Sequence, residues 1–235
     1  MRRALRLALA ATLALLLIAD QLFPPPLPGG SAPKAQVVVA RDGTPLRAFP
    51  DRAHIWRHPV QLAEVSPRYL EALVAYEDRS FWWHPGVNPW ALLRAGAHWL
   101  EHGRVISGGS TLTMQVARLL EPMPRTPVGK LRQVARALQL ELRCSKREIL
   151  QIYLSLAPMG GVLEGVEAAS RAYLGKPAQR LTAAEAALLT VLPQAPSRLR
   201  PDRYPQRARS ARDKVLERME SRWGAATVAD AKSCV

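Results

Sequence analysis

Glu77-Asp78-Arg79-Ser80-Phe81-Trp82-Trp83-His84-Pro85-Gly86 gathers the side chains best suited to proton transfer. It begins where an amphipathic helix starting at Ser66-Pro67 should end. Glu77 would then stand near the negative pole of that helix and beside Asp78, and both disfavour a second negative charge. Phe81, Trp82 and Trp83 would dry the surroundings in the same direction. These are the conditions under which a carboxylate becomes a usable general base or acid near neutral pH. An exposed Glu-Asp pair at a helix end is the ordinary alternative.

A second cluster is Gly108-Gly109-Ser110-Thr111, just ahead of the helical run Leu112-Thr113-Met114-Gln115-Val116-Ala117-Arg118. Glycines before a helix leave backbone N–H groups free, and Ser and Thr add hydroxyls, which suits a phosphate or another anion. The loop lacks the lysine of nucleotide-binding loops, so nucleotide binding is not expected. A third cluster is cationic: Arg125, Lys130, Arg132, Arg136 and Arg143. It reads either as a solvated helix face or as a docking surface for pyrophosphate or an anionic membrane leaflet.

The elements that must hold these groups are mostly helices. Ser66-Pro67, with Leu70, Leu73 and Val74 as its apolar stripe, opens the first. Asn88-Pro89 opens another that Gly103 can end. Thr126-Pro127 starts a third, striped by Leu131, Val134, Ala135 and Leu138. Ser145-Lys146-Arg147-Glu148 and Thr182-Ala183-Ala184-Glu185 are capping boxes ahead of apolar runs. A last helix is expected from about Gln206 to Trp223, with Gly224 as its stop. Gln36–Ala40 and Pro45–Phe49 flank an Asp-Gly turn and predict a β-hairpin. The reading is a mainly α-helical domain over residues 36–225 that opens on a small hairpin.

The chain of 235 residues is 48% hydrophobic and can bury one sizeable core. With 33 Lys+Arg and 19 Asp+Glu its formal charge is +14, which calls for a polyanionic partner. Met1-Arg2-Arg3 precedes an apolar run from Ala4 to Ala19, broken only by Arg6. The run is short for a span of about 20 residues, but Arg6 can snorkel, and the charge order predicts the N-terminus inside. A cleavable signal peptide is the rival, although no small-x-small site follows the run. Residues 1–23 are therefore expected to form a cytosolic stub and a signal-anchor helix, and residues 24–35 a Pro/Gly linker. The remainder would lie outside the cytoplasm, which argues against nucleic acid. Cys144 and Cys234 match no metal-binding or redox spacing, and residues 226–235 are left unassigned.

Taken together, the motifs resemble the peptidoglycan glycosyltransferase domain, glycosyltransferase family 51. Glu77-Asp78-x-x-Phe81-x-x-His84-x-Gly86 is similar to the first motif of that family, and Gly108-Gly109-Ser110-Thr111-x-x-Met114-Gln115 to its second. Lys130–Glu141 is similar to the third. Ile149-Leu150-x-x-Tyr153-Leu154 through Tyr173-Leu174-Gly175-Lys176 is similar to the fourth, and Leu181–Ala187 with Leu192-Pro193-x-Ala195-Pro196 to the fifth. The likeness spans roughly residues 36–222 and is nearest to the N-terminal half of class A penicillin-binding proteins of the 1C type. It implies a lysozyme-like helical domain at the bacterial inner membrane, single-pass, with its catalytic part on the periplasmic side. The implied substrates are lipid II and the growing glycan chain, with release of undecaprenyl pyrophosphate. Other cell-wall synthesis proteins are further candidate partners.

Carried over residue by residue, the resemblance makes Glu77 the base that deprotonates the acceptor 4-hydroxyl. It places Asp78, Ser110, Thr111 and Gln115 along the cleft, makes Arg118 and Arg125 contacts to the donor pyrophosphate and matches Lys130 to the lysine of the third motif; Arg132, close to these in sequence, is expected to join them in meeting the phosphate charge. Gln133 stands where a second glutamate is usual, Gly129 where arginine is usual, Met114 where glutamine is usual, and Ser155 where asparagine is usual. Because Gln133 is a weak ligand for a hard cation, no cofactor is expected to be required; Mg2+ or Mn2+ is expected to help without being indispensable. No residue is assigned as a metal ligand. Ser31-Ala32-Pro33-Lys34 matches the S-x-x-K pattern of penicillin-binding transpeptidases but has no S-D-N or K-T-G companion, so no transpeptidase activity is expected. Two other readings are carried: a lytic transglycosylase or lysozyme-type hydrolase with one catalytic Glu, and a non-catalytic truncated membrane scaffold.

Overall fold

A computed structural model describes residues 20–27, 36–41, 45–52, 54–90, 93 and 110–233. The apolar run 4–19, most of the Pro/Gly linker and most of the Asn88–Gly103 helix lie outside them, as do Gly108, Gly109, the Ser31–Lys34 match and Cys234. Among the described residues no helix is long and apolar enough to cross a membrane.

Strands β1 (Gln36–Val39) and β2 (Pro45–Phe49) form the expected antiparallel hairpin, Gln36 opposite Phe49. The domain then becomes helical: α1 (Pro67–Glu77), α2 (Leu112–Leu120), α3 (Pro127–Arg143) and α4 (Lys146–Leu156), followed by α5 (Val166–Leu174), α6 (Ala183–Val191), α7 (Pro205–Trp223) and α8 (Ala225–Ser233). A small sheet of β3 (Trp56–Arg57), β4 (Pro158–Gly160) and β5 (Leu163–Glu164), in the order β3-β5-β4, joins the early chain to the fourth-motif segment. It was not foreseen, because strands of two or three residues leave no periodicity to read.

The capping signals mostly act as read. Thr126 Oγ1 accepts from the Gly129 N–H, and both capping boxes close, at Ser145/Glu148 and Thr182/Glu185. Ser66 differs. Pro67 does open α1, but the Ser66 hydroxyl donates to the Leu181 carbonyl at 3.1 Å and ties α1 to the start of α6.

The main core gathers Tyr69, Leu73, Phe81, Leu112, Leu140, Ile149, Tyr153 and Leu189. A second core is built largely from alanines: Ala72 and Ala75 of α1 meet Ala183, Ala184, Ala187 and Val191 of α6, with Val215, Leu216 and Met219 of α7 behind. Small side chains let these helices approach closely. The unassigned tail joins this core: α8 buries Val228 and Ala231.

Helix α3 departs from its expected stripe, of which Val134 alone packs against a core cluster. Its buried residues are Gly129, Gln133, Ala137 and Leu140. Leu131, read as core, is 70% exposed, in line with Val128 at 77% and Leu142 at 74%. Val128, Leu131 and Leu142 thus form an outward row, while Leu140 is fully buried. The chain at Asp20–Phe23 lies on the same helix: Arg136 and Gln139 donate to the Phe23 carbonyl, and Arg143 pairs with Asp20 at 2.6 Å.

Candidate active site

Glu77 is the last residue of α1, and the Asp78 N–H closes the helix onto the Val74 carbonyl. Two amide groups hold its carboxylate. Gln115 Nε2, on α2, donates to Oε2 at 2.9 Å, and Gln194 Nε2 donates to Oε1 at 2.8 Å. Both donors are neutral, so the carboxylate is oriented without being neutralised. Tyr69 and Tyr153 lie buried nearby, and burial first and the Glu77 charge second push both phenols up, Tyr153 strongly. They stay neutral at any physiological pH. The expected enclosure by tryptophan is not found: Trp82 is about half exposed and Trp83 88% exposed.

Asp78, expected to line the cleft, is buried instead. His84 Nε2 sits 3.0 and 2.9 Å from its two oxygens, and Oδ2 also accepts from the Leu112 N–H at 2.9 Å. Leu112 is the first residue of α2, so the carboxylate satisfies an otherwise orphaned helix donor and meets the positive end of the helix. Asp78 is thereby a positioning residue that fixes α2, and Gln115 with it, against the end of α1. Thr111, also expected in the cleft, is buried as the α2 N-cap. It accepts from the Met114 N–H at 3.1 Å and donates to the Gly86 carbonyl at 2.5 Å. Gly86 has φ +86°, and a Cβ there would lie 2.8 Å from both the Ala137 carbonyl oxygen and Glu141 Cγ. The motif loop therefore sits tightly on α3. Lys146 completes the frame, donating to Glu141 and to the His84 carbonyl, both at 2.6 Å, while its ammonium stands 4.6 Å from the Phe81 ring centroid.

The cations divide into two groups. Lys130 Nζ donates to Ser110 Oγ at 2.5 Å and to Gln133 Oε1 at 3.2 Å. Burial first and Arg118 second lower its pKa. A cation held by neutral partners, with a second positive charge close enough to act on it, suits an anion. Arg118 and Arg125 are exposed, and among the described residues neither has a carboxylate partner. Arg132 stands apart from this group: its side chain is 59% exposed and held by Glu121, which also binds Arg136 at 2.8 Å.

Packing accounts for the departures from the family pattern. A Cβ on Gly129 would fall 2.1 Å from the Pro124 carbonyl oxygen, so no larger residue fits this approach. Met114 is fully buried against Val87 and Ala137. Gln133, expected near the substrate, is buried; its Nε2 donates to the Met114 carbonyl at 2.5 Å while its Oε1 receives Lys130. A glutamate there would retain the acceptor but lose that donor. Ser155 Oγ donates to the Gln151 carbonyl of its own helix at 3.0 Å. The oxygens of Glu77, Asp78 and Gln133 are each engaged by N–H donors, and among the described residues no three His, Cys, Asp or Glu side chains converge.

Gln194, Tyr69 and Tyr153 were not singled out as site residues from sequence. Gln194 occupies the unspecified place in Leu192-Pro193-x-Ala195-Pro196, Tyr69 precedes the Leu70 stripe without belonging to it, and Tyr153 entered only as part of the fourth-motif likeness.

A transglycosylase family model matches residues 42–220. Penicillin-binding protein 1C of Escherichia coli strain K12 is 64% identical over 201 residues, covering 86% of this chain and 26% of that protein. Penicillin-binding protein 1A of Aquifex aeolicus strain VF5 is 38% identical over 164 residues, 69% of this chain and 23% of that protein. Among solved structures, penicillin-binding protein 1A from Haemophilus influenzae aligns with a TM-score of 0.49 and 22% identity over 86% of this chain and 21% of that one. The chain thus spans about a quarter of the length of the curated relatives named here. With its matched residues enclosing the whole Glu77 site, the chain belongs to the transglycosylase family.

Proposed function

We propose that this chain is a peptidoglycan glycosyltransferase that polymerises lipid II. The observation that carries the reading is the layout of α2. Gln115 holds Glu77, and Arg118, one helical turn further on, acts on Lys130 beside Ser110. Helix α2 thus carries both the amide that holds the base on α1 and a cation beside Lys130 on α3, and so sets the base and the anion site in register, as transfer from a pyrophosphate donor requires. Glu77 takes the proton of the acceptor 4-hydroxyl as that oxygen attacks the donor anomeric carbon. Lys130, Arg118 and Arg125 meet the charge gathering on the departing pyrophosphate. A hydrolase acting on finished glycan would have no use for such cations. Because these side chains already supply positive charge, a divalent ion is an aid and not a requirement in this reading.

The domain works at a membrane surface in this reading. The exposed row Val128, Leu131 and Leu142 lies on the helix that also receives Asp20–Phe23. An apolar run inserted just before Asp20 and an apolar row on α3 would then meet the bilayer together. This supports a single-pass anchor in the inner membrane with the catalytic domain on the periplasmic side. Lipid II and growing glycan are the substrates, and other cell-wall synthesis proteins are candidate partners.

The test is incubation of the full chain in detergent with labelled lipid II, with and without EDTA, followed by gel separation. Glycan polymer in both samples is the expected outcome. No polymer would favour the scaffold, shortening of purified sacculi would favour a hydrolase, and loss in EDTA restored by magnesium would overturn the metal-independent account.

A further inference from the structure

We infer that Gln194 is a positioning residue for the transfer reaction, holding the Glu77 carboxylate from the wall opposite α2. The inference rests on the proposed function and adds a residue that the motif pattern leaves unspecified.

The geometry follows from two helices that end together. The alanine faces of α1 and α6 pack on one another: Ala75 lies two residues before Glu77, and Val191 lies three before Gln194. The Thr182 capping box fixes the start of α6, and the Ser66 hydroxyl bonds to the Leu181 carbonyl at the same end. After Val191 the chain turns through the 3₁₀ segment Leu192–Gln194. Leu192 is buried, and the Ala195 N–H closes onto its carbonyl at 3.2 Å. The backbone of Gln194 is thus set by the same core that sets the end of α1, although its side chain is exposed.

What the side chain does there is specific to an amide. Towards a carboxylate only the NH₂ end of glutamine is attractive, so its orientation is settled by Glu77 itself. Gln194 occupies one site on Oε1 and Gln115 one on Oε2. Each carboxylate oxygen can accept a second hydrogen bond, so one position per oxygen remains for the acceptor hydroxyl. With donors on both sides, rotation of the carboxylate about its last bond is arrested. Neither donor can be acidified at physiological pH to quench the base. Losing Gln194 would release one side of the carboxylate and misalign the base, which affects the chemical step more than substrate affinity.

The experiment measures lipid II polymerisation by the full chain for wild type, Gln194→Ala and Gln194→Glu, and repeats the alanine change in a Glu77→Gln background. Gln194→Ala is expected to lower kcat about tenfold with KM within about twofold. Gln194→Glu, equal in length but carrying a second negative charge against Glu77, is expected to fall below the alanine variant. A purely space-filling role at an exposed position would tolerate it. In the Glu77→Gln background, Gln194→Ala is expected to add less than about twofold, because the group it orients is no longer a base. Thermal melting is expected to be unchanged, since the side chain is exposed. Wild-type rates in both single variants, or an undiminished loss in the Glu77→Gln background, would overturn the inference while leaving the function standing. A wild-type chain that makes no polymer would overturn the function first and this inference with it.

Discussion

Glu77 and Asp78 are neighbours in the chain but belong to two regions built in opposite ways. In the cleft, ionised groups are held by neutral partners: Glu77 by the amides of Gln115 and Gln194, and Lys130 by the hydroxyl of Ser110 and the amide of Gln133. In the frame behind it, charged groups meet one another: Lys146 with Glu141, and Arg132 and Arg136 with Glu121. Asp78 belongs to the frame, enclosed by His84 and a helix N-terminus. Neutral partners fix a side chain in place and leave its charge available; opposite charges fix it and use the charge up. The difference separates the groups that can act on a substrate from those that hold them there.

Removing a cleft charge should therefore affect catalysis, and removing a frame charge should affect stability or nothing. Among the cations, the largest effect is expected at Lys130. Lys130→Ala should lower kcat/KM about a hundredfold with unchanged melting, as measured by lipid II polymerisation and thermal denaturation. Its lowered pKa adds a pH signature. The ammonium loses its proton below the ordinary lysine value of 10.5, so kcat/KM should begin to fall on the alkaline side before a free lysine would titrate. Lys130→Arg should move that limb to higher pH. Normal kcat/KM for Lys130→Ala would place the cleft cation elsewhere.

Asp78→Ala should behave in the opposite sense. It leaves the Leu112 N–H and His84 buried without their acceptor, which is expected to lower stability by about 3 kcal/mol in denaturant titration. Activity should fall with the folded fraction and with the placing of α2. A variant as stable as wild type but inactive would move Asp78 into the cleft. The smallest effect is expected for Arg132→Ala. Its pair with Glu121 is exposed, and Arg136 remains on Glu121, so polymerisation should stay within about twofold of wild type and stability within about 1 kcal/mol. A loss comparable to that of Lys130→Ala would show that Arg132 leaves Glu121 to join the substrate site.

Much of this was legible in the sequence because local signals are short-range. Ser145/Glu148 and Thr182/Glu185 announce helix starts three residues apart, Gly224 announces a stop, and the resemblance brings Glu77 and Gln115 to one cleft. Contacts set by tertiary packing were not legible. Whether Asp78 or Glu77 faces the cleft depends on where Leu112 starts its helix, which residue types alone do not say. Gln194 reaches Glu77 only because two alanine faces let α1 and α6 end side by side. Helix α3 misled for a different reason. Its apolar stripe was read as Leu131, Val134, Ala135 and Leu138, whereas the face that packs is Gly129, Gln133, Ala137 and Leu140, three of them suited to close approach or hydrogen bonding. The usual equation of apolar with inward fails where a helix has a second apolar environment available.

The central claim is that Glu77 carries the proton transfer while the cations carry the donor. It is tested most directly by measuring lipid II polymerisation and lipid II binding side by side for Glu77→Gln. That variant keeps the shape of the side chain and removes the base. The account predicts a fall in turnover of about a hundredfold or more with binding retained within about threefold of wild type. Near-normal polymerisation, or loss of binding in step with turnover, would contradict it.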